Sequence, residues 1–531
     1  MKVGFKDIML AVAAGLLMAA AGPIVIGIWS PEEVLKTPLN EALAWFALVP
    51  LFFAIEGRTG KQAFWIGTLA GAVYFAASIY WVTVALTVFG HIPYFAAIPI
   101  LFLLIFYLAI FWGIAAWLIV LINGSLRTPL TLSAPLVFTA LEYLRNYALS
   151  GFPWSNIAYT QYRNLAIIQL SSITGIYGVV FLMVLSSALI YEWMAAYQRR
   201  RLGRPVVATV VFSALVIFAF GWGVHRAGEL KEEARSVPSL RITVLQGNID
   251  QNIKNRSENY RGSIASVYNR LSSDADRKGA EFIIWPEASY PSALPREIDS
   301  FAASWSLFEV KRLSAHSLVG VSMYYSEEKR RLLSNSALVL DPALSVVARH
   351  DKTHLVPFGE YVPLGLPIEK IVSGVGVFSP GDNLRPAVFE HDGKTVKIGT
   401  LICFEGIFPE ISRSFAANGA NLLVSITNDA WFGPTSAPYQ HLYMYVFRAI
   451  ETGRYVARAA NTGVSGYLDP YGRVFARTRL FTEDSVSAEI PLLEKNTIYT
   501  RIGDAFAIAI SLGAVALLLV AVAIRRTRLV A

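Results

Sequence analysis

The chain has 531 residues, of which 54% are hydrophobic and 16% charged, with a net charge of +8 and a mean hydropathy of +0.47. Long apolar runs and a positive mean exclude a simple string of soluble domains and indicate an integral membrane protein. A single cysteine excludes an internal disulfide, and the excess positive charge lies largely beside apolar runs, so it calls for no nucleic-acid partner.

Apolar runs long enough, or nearly so, to cross roughly 30 Å of hydrocarbon occupy about 8 to 28, 41 to 56, 63 to 88, 93 to 122, 129 to 147, 166 to 192, 205 to 224 and 504 to 524. Eight spans are therefore expected. The second is short, and the fifth carries Glu142 and Arg145, whose i, i+3 spacing fits a local ion pair. After the first run no small-residue cleavage site leads into a soluble domain, so that run is expected to be retained. Lys2 and Lys6, Arg58 and Lys61, Arg127, Arg199, Arg200, Arg201 and Arg204, and Arg525, Arg526 and Arg528 all fall on one side of an eight-span bundle. Short cytoplasmic loops are enriched in Lys and Arg, which places both termini in the cytoplasm. The expected organisation is a seven-span bundle over 1–229, an extracytoplasmic domain over 230–500, and an eighth span with a basic tail over 501–531.

From about residue 240 short β-rich runs alternate with polar helical segments. Strands are predicted at 240–249, 282–285, 317–325, 335–341, 344–349, 395–402 and 421–427, and helices at 256–275, 298–315, 409–418 and 438–455. Such alternation predicts an α/β domain of layered sheets, and some 260 residues suffice for one large core.

Four apolar runs end in a reactive residue: FIIWP at Glu287, SVVARHD at Lys352, KIGTLI at Cys403, and LLVSIT at Asn428 and Asp429. One carboxylate or lysine after a strand is ordinarily a solvated turn residue. Several together are different, because strand ends of helix-covered sheets are where side chains converge on a ligand. Cys403 is a weak nucleophile until it loses its proton, so it needs a base or a cation nearby. Glu287 can be that base if burial beneath Trp285 and Pro286 raises its pKa, and Lys352 can hold the oxyanion of a tetrahedral intermediate. His350 and His354 have the spacing of two metal ligands on a helix. Pro357 and Gly359 oppose a helix there, and no Glu stands at the metalloprotease position, so neither a metal nor another cofactor is expected.

WPEASYP (285–291), DKTHLVPFGEYVP (351–363), ICFEG (402–406) and SITNDAWFG (425–433), with GFPW (151–154), resemble the nitrilase superfamily. Within it, they are similar to the apolipoprotein N-acyltransferases of the bacterial cell envelope, and the resemblance covers nearly the whole chain. It implies an α-β-β-α sandwich carried by a polytopic bundle in the inner membrane, with the catalytic domain on the periplasmic side. It implies Glu287 as general base, Lys352 as oxyanion stabiliser and Cys403 as nucleophile, supported by Glu360 and Glu405. Phe404 stands where the family often has Tyr, keeping the ring without the hydroxyl. The implied reaction moves an acyl chain from a membrane phospholipid to Cys403 as a thioester. The chain then passes to the α-amine of a diacylglyceryl-modified cysteine at the N-terminus of an apolipoprotein, without a nucleotide because the amide product is the more stable.

Two rival readings are a membrane-tethered amidase or nitrilase acting on a small substrate, and a transporter with an extracytoplasmic binding domain. The first needs only one anchor, and the second needs intramembrane charges along a path, of which Glu142 and Arg145 are the clear cluster. The apolar, glycine-rich stretch Leu364 to Gly381 is expected to form a lid through Ile371, Val372, Val375, Val377 and Phe378, with Trp431 as a further substrate-access residue.

Overall fold

The structure is a computed structural model that describes residues 3–23, 40–199, 205–301, 312–327, 330–362 and 378–530. Among these, five helices are long and apolar enough to cross a membrane: Gly60–Ile79, Tyr94–Leu126, Tyr177–Gln198, Pro205–Ser236 and one beginning at Ala505. The other three expected spans are shorter. Phe5–Ala20 and Leu130–Arg145 have 16 residues each and Val49–Ile55 has 7, against the roughly 20 that a perpendicular crossing needs. The run expected to span from 166 starts its long helix only at Tyr177. Before it, Leu165–Ile168 and Ser171–Thr174 are single turns, Gly175 sits at φ +63°, and Gln169 Nε2 donates to the Tyr471 carbonyl at 2.8 Å. This apolar stretch is therefore packed against the catalytic domain. Gly60–Ile79 and Tyr94–Leu126 meet through small residues, since a Cβ on Gly67 would lie 2.5 Å from the Trp112 carbonyl oxygen.

The second half is a two-sheet sandwich. Its strands are β1 (Ser239–Gln246), β2 (Phe282–Ile284), β3 (Leu294–Pro295), β4 (His316–Glu327), β5 (Arg330–Leu340), β6 (Val346–Asp351), β7 (Ala387–His391), β8 (Lys394–Ile402), β9 (Leu422–Thr427), β10 (Val456–Ala460), β11 (Gly466–Leu468), β12 (Val474–Phe475) and β13 (Asp484–Pro491). One sheet runs β13-β1-β2-β4-β5-β6, with β3 beside β4, and the other β12-β11-β10-β9-β8-β7. The strands that end at the site, β2, β8 and β9, are parallel to their β1, β4 and β10 neighbours, so their C-terminal ends emerge together.

Alternation along the strands builds the layers. Phe282 and Ile284 enter the core between the sheets, where they meet Val396, Ile398, Val424 and Ile426, while Ile283 faces helix Arg261–Arg277. Leu401, Leu423 and Val456 face the opposite way, toward helices Pro409–Ala417 and Ala437–Thr452 and the bundle. Every residue from Ala437 to Thr452 is buried, because this helix has the second sheet on one side and, on the other, the short turns between residues 157 and 176 and the end of Gly60–Ile79. The layers are thus helix, sheet, sheet, helix, with the last helix layer pressed onto the bundle. The helix expected over 298–315 falls mostly outside the described residues. Its described start is extended, with Ser300 bridging to Ser345.

Candidate active site

Glu287 follows β2 through Trp285 and Pro286. Trp285 is locked by stacking on Tyr268, with centroids 4.9 Å apart, and by donating its indole N–H to Ser272 Oγ at 2.9 Å. The chain then passes so close to β4 that a Cβ on Gly320 would lie 2.2 Å from the Pro286 carbonyl oxygen, so only glycine fits there. Both Glu287 carboxylate oxygens are used: Oε1 accepts from Asn335 Nδ2 at 2.7 Å and Oε2 from the Asn428 backbone N–H at 2.8 Å. Lys254 donates to the Glu287 carbonyl at 2.9 Å.

Lys352 leaves the end of β6 and is 1% exposed. Its backbone is held at both groups, the N–H by the Asn335 carbonyl at 2.8 Å and the carbonyl by the Gly381 N–H at 2.7 Å. The ammonium lies 2.9 Å from Glu360 Oε1 and 3.9 Å from Glu287 Oε1. Glu360 also accepts from Asn335 Nδ2 at 3.1 Å and from the Val356 N–H at 2.8 Å, which folds the HLVPFGE segment into a tight loop. Asn335 Nδ2 is therefore a common donor to the two carboxylates, which both face the Lys352 ammonium.

Cys403 ends β8 and opens the short 3-10 turn Cys403–Ile407, with φ at +53°. A left-handed conformation at a non-glycine residue must be held by its surroundings. Here the Cys403 carbonyl accepts from the Tyr445 hydroxyl at 3.2 Å and lies 3.3 Å from His441 Nε2. Gly406 makes room for this, since a Cβ there would stand 2.0 Å from the Tyr445 hydroxyl oxygen. Glu405, fully buried, ties the turn to the lysine loop. It accepts from the Ile402 N–H, the Thr353 N–H and the Thr353 hydroxyl, each at 2.7 Å, and lies 3.3 Å from His350 Nε2.

A second buried network lies behind Cys403. Asp429 pairs with Arg458 at 2.7 Å and with His441 at 3.0 Å. The bundle reaches the same place through GFPW. Arg145 pairs with Glu142 at 2.6 Å and donates to the carbonyls of Phe152 and Trp154 at 2.6 and 2.8 Å. Trp154 then stacks on His441, 5.6 Å between centroids, and donates to Gln440 Oε1 at 2.7 Å. The Glu142–Arg145 pair is thus a clamp on the loop that supports the Cys403 turn.

Electrostatics divides the roles. Burial pushes the Glu287 pKa up and the Glu360 charge adds to this, while Lys352, Asn335 and Lys254 oppose it. Burial would lower the Lys352 pKa, but Glu360, Cys403 and Glu287 outweigh it and keep the lysine charged. Burial pushes the Cys403 thiol up to about 12, with Glu287 adding and Lys352 opposing. Cys403 therefore rests as a thiol beside Glu287, a carboxylate whose affinity for protons is itself raised, an arrangement suited to passing a proton from one to the other.

Glu287, Lys352 and Cys403 converge; Glu360 bonds Lys352 directly, and Glu405 bonds their chain neighbours Ile402 and Thr353. Phe404 packs its ring among Phe408, His354 and Phe152, with centroids 5.1 to 6.4 Å away. Trp431 is 38% exposed on the 3-10 turn Asp429–Phe432. Phe378 is half-buried and bridges Leu333, while Ile371, Val372, Val375 and Val377 lie outside the described residues. His350 sits on a strand beside Glu405, and His354 packs its ring at a tilt against Phe408, with centroids 3.9 Å apart. At the opposite end of β2, Glu281, His391 and Asp392 could offer ligand atoms to a metal, but Lys394 already binds Glu281 at 2.5 Å. Sequence reasoning missed Asn335, Lys254, His441 and Arg458. Asn335 alone left a signal, as an amide in the apolar run LLSNSALVL.

Residues 37–189 match the family described as the apolipoprotein N-acyltransferase N-terminal domain, and residues 241–495 match the carbon-nitrogen hydrolases. An apolipoprotein N-acyltransferase of Geobacter metallireducens is 36% identical over 515 residues, 96% of this chain and 94% of that protein. One of Methylococcus capsulatus is 30% identical over 517 residues, covering 96% and 95%. Among solved structures, an amidase of the nitrilase superfamily from Nesterenkonia aligns with a TM-score of 0.35 and 21% identity, over 50% of this chain and 95% of that one. With similarity running through both the helical half and the sandwich, the chain belongs to the apolipoprotein N-acyltransferase family.

Proposed function

We propose that the protein carries an acyl chain from a membrane glycerophospholipid, through a thioester on Cys403, to the α-amine of a diacylglyceryl-modified N-terminal cysteine. The observation that carries this reading is the convergence of Glu287, Lys352 and Cys403 at strand ends seated on a membrane bundle, with a bundle loop packed behind the nucleophile. A soluble substrate would require no such seat. The rim is apolar too: Tyr361 hydrogen-bonds Ser150 at 3.2 Å, joining loops that expose Phe358 by 50% and Leu149 by 80%.

In the first half-reaction the Cys403 thiol adds to an ester carbonyl while its proton passes to Glu287. Lys352 faces the oxyanion that forms. Collapse breaks the ester C–O bond, Glu287 returns the proton to the departing lysophospholipid oxygen, and the thioester remains. In the second, the acceptor amine adds to the thioester, Glu287 takes the amine proton, and the C–S bond breaks to give the amide while Glu287 returns that proton to the departing Cys403 sulfur. Glu360 keeps Lys352 charged and placed through both steps. The basic loops support eight crossings, cytoplasmic termini and a periplasmic catalytic domain, which would bring both lipid-anchored substrates within reach in one leaflet.

The test is intact mass. Protein incubated with phospholipid should gain one acyl chain, removable by hydroxylamine and absent in Cys403→Ala. Adding a lipidated peptide with a free amine should discharge it. Full turnover by Cys403→Ala would overturn the reading.

A further inference from the structure

At the end of the bundle remote from the catalytic domain, a cleft of about 290 Å³ opens between three helices. They are the start of Gly60–Ile79, the last turns of Tyr94–Leu126 and the tail of Ala505–Val530. The helices set its distance from the site. Near the other end of Gly60–Ile79, the Ser78 carbonyl accepts from Gln440 at 3.0 Å. Just before the other end of Ala505–Val530, Asp504 accepts from Tyr147 and Tyr499 at 2.9 and 3.0 Å. Twenty helical residues extend about 30 Å, so the cleft faces the opposite membrane surface.

Its walls combine Arg58, Arg525 and Arg528 with Trp117, Val120 and Leu121. Arg58 pairs with Asp7 at 2.7 Å. Among the described residues no carboxylate pairs with Arg525 or Arg528, so these two cations leave the cleft positive. The two tail arginines stand at i, i+3 on one helix face, whereas Arg526 does not line the cleft. The N-terminal end of a 20-residue helix adds partial positive charge. Gly60 admits the indole: a Cβ there would lie 2.6 Å from Trp117 Cδ1. Arginines that merely extend their heads to the interface need neither this glycine nor a tryptophan wall.

Cationic groups over an apolar, aromatic floor at the membrane surface complement an amphiphile with a negative head. The geometry points to a binding site for the phosphate of an anionic phospholipid headgroup, in the leaflet opposite the catalytic domain. The ligand's acyl chains would lie along Val120 and Leu121, which a soluble phosphate could not exploit. The site is separate from the one that donates acyl chains, because it lies a helix length away.

Full-length protein carrying Cys403→Ala, so that no lipid is consumed, can be titrated in detergent with phosphatidylglycerol, phosphatidylcholine or glycerol 3-phosphate, and bound lipid counted by native mass spectrometry. Phosphatidylglycerol is expected to bind one site about tenfold or more tighter than phosphatidylcholine, as two unpaired arginines near the surface imply. Arg525→Gln with Arg528→Gln should abolish that preference, while Arg526→Gln changes it less than about twofold. Millimolar glycerol 3-phosphate should not displace the lipid. Equal losses in the Arg526→Gln control, no headgroup preference in the parent, or displacement by glycerol 3-phosphate would each overturn the assignment.

Discussion

Glu405→Gln tests how the nucleophile and the lysine are held in register. The carboxylate is fully buried and accepts from three donors at 2.7 Å, with His350 Nε2 at 3.3 Å. An amide can accept at one oxygen only, and its NH2 would point at N–H or O–H donors on the other side. Losing charge-assisted bonds and burying opposed donors costs about 3 to 5 kcal/mol. For a domain of this size, about 2 to 4 °C of Tm per kcal/mol gives a drop of about 6 to 20 °C. Burial raises the Glu405 pKa, but His350 and the N–H groups of Ile402 and Thr353 outweigh it and hold it below the usual carboxylate range. A depressed folded pKa contributes stability that is complete above the unfolded value of about 4.3 and is lost as pH falls through the folded value. The gap between parent and variant should therefore be full at neutral pH and shrink below about 4.3. Tryptophan-fluorescence melts at several pH values read this gap, and acyl-enzyme formation should fall in parallel by about 10²-fold as Lys352 and Cys403 move apart. A Tm change under about 2 °C at neutral pH, or a gap unchanged in acid, would refute the reasoning.

Glu287→Gln and Lys352→Met should each fold yet lose about 10²-fold or more in acyl-enzyme formation measured by mass, whereas normal thioester accumulation would remove that residue's role. Because the base must be ionised and burial raises its pKa, the acidic limb of acylation should lie above the ordinary carboxylate value. Asn335→Leu removes a donor that lowers that pKa, so it should shift the limb to higher pH; a shift to lower pH would contradict the assignment. Arg145→Met leaves Glu142 buried and unpaired and should destabilise the bundle by about 3 to 5 kcal/mol. Adding Glu142→Gln should recover much of the stability but not the acylation rate, since the Phe152 and Trp154 carbonyls stay unheld. Recovery of both would show the loop to be passive.

Local pattern made much of the molecule legible. Short β-rich apolar runs such as FIIW, TVKIGTLI and LLVSIT are a property of neighbouring residues, so β2, β8 and β9 were readable, and with them the strand ends that carry Glu287, Cys403 and Asn428. Chemistry then picked Lys352, because a thiol and a base need an oxyanion partner. Apolar length alone pointed to the five helices that are long and apolar enough to cross a membrane, since hydrocarbon thickness sets the count of residues. Length could not reveal that 165–174 docks on the catalytic domain, because apolar surface is buried equally well by lipid or by protein. Nor could periodicity report that Ala437–Thr452 is buried on every side, a fact that depends on two layers closing over it. Asn335 meets Glu287 across 48 residues, the Asn428 N–H reaches it across 141, and Trp154 reaches Gln440 across 286. Local pattern thus carried the candidate reacting groups and their places at strand ends. Only the tertiary structure decided which distant donors hold them, because burial and hydrogen-bond partners are set by packing between elements, which no local window contains.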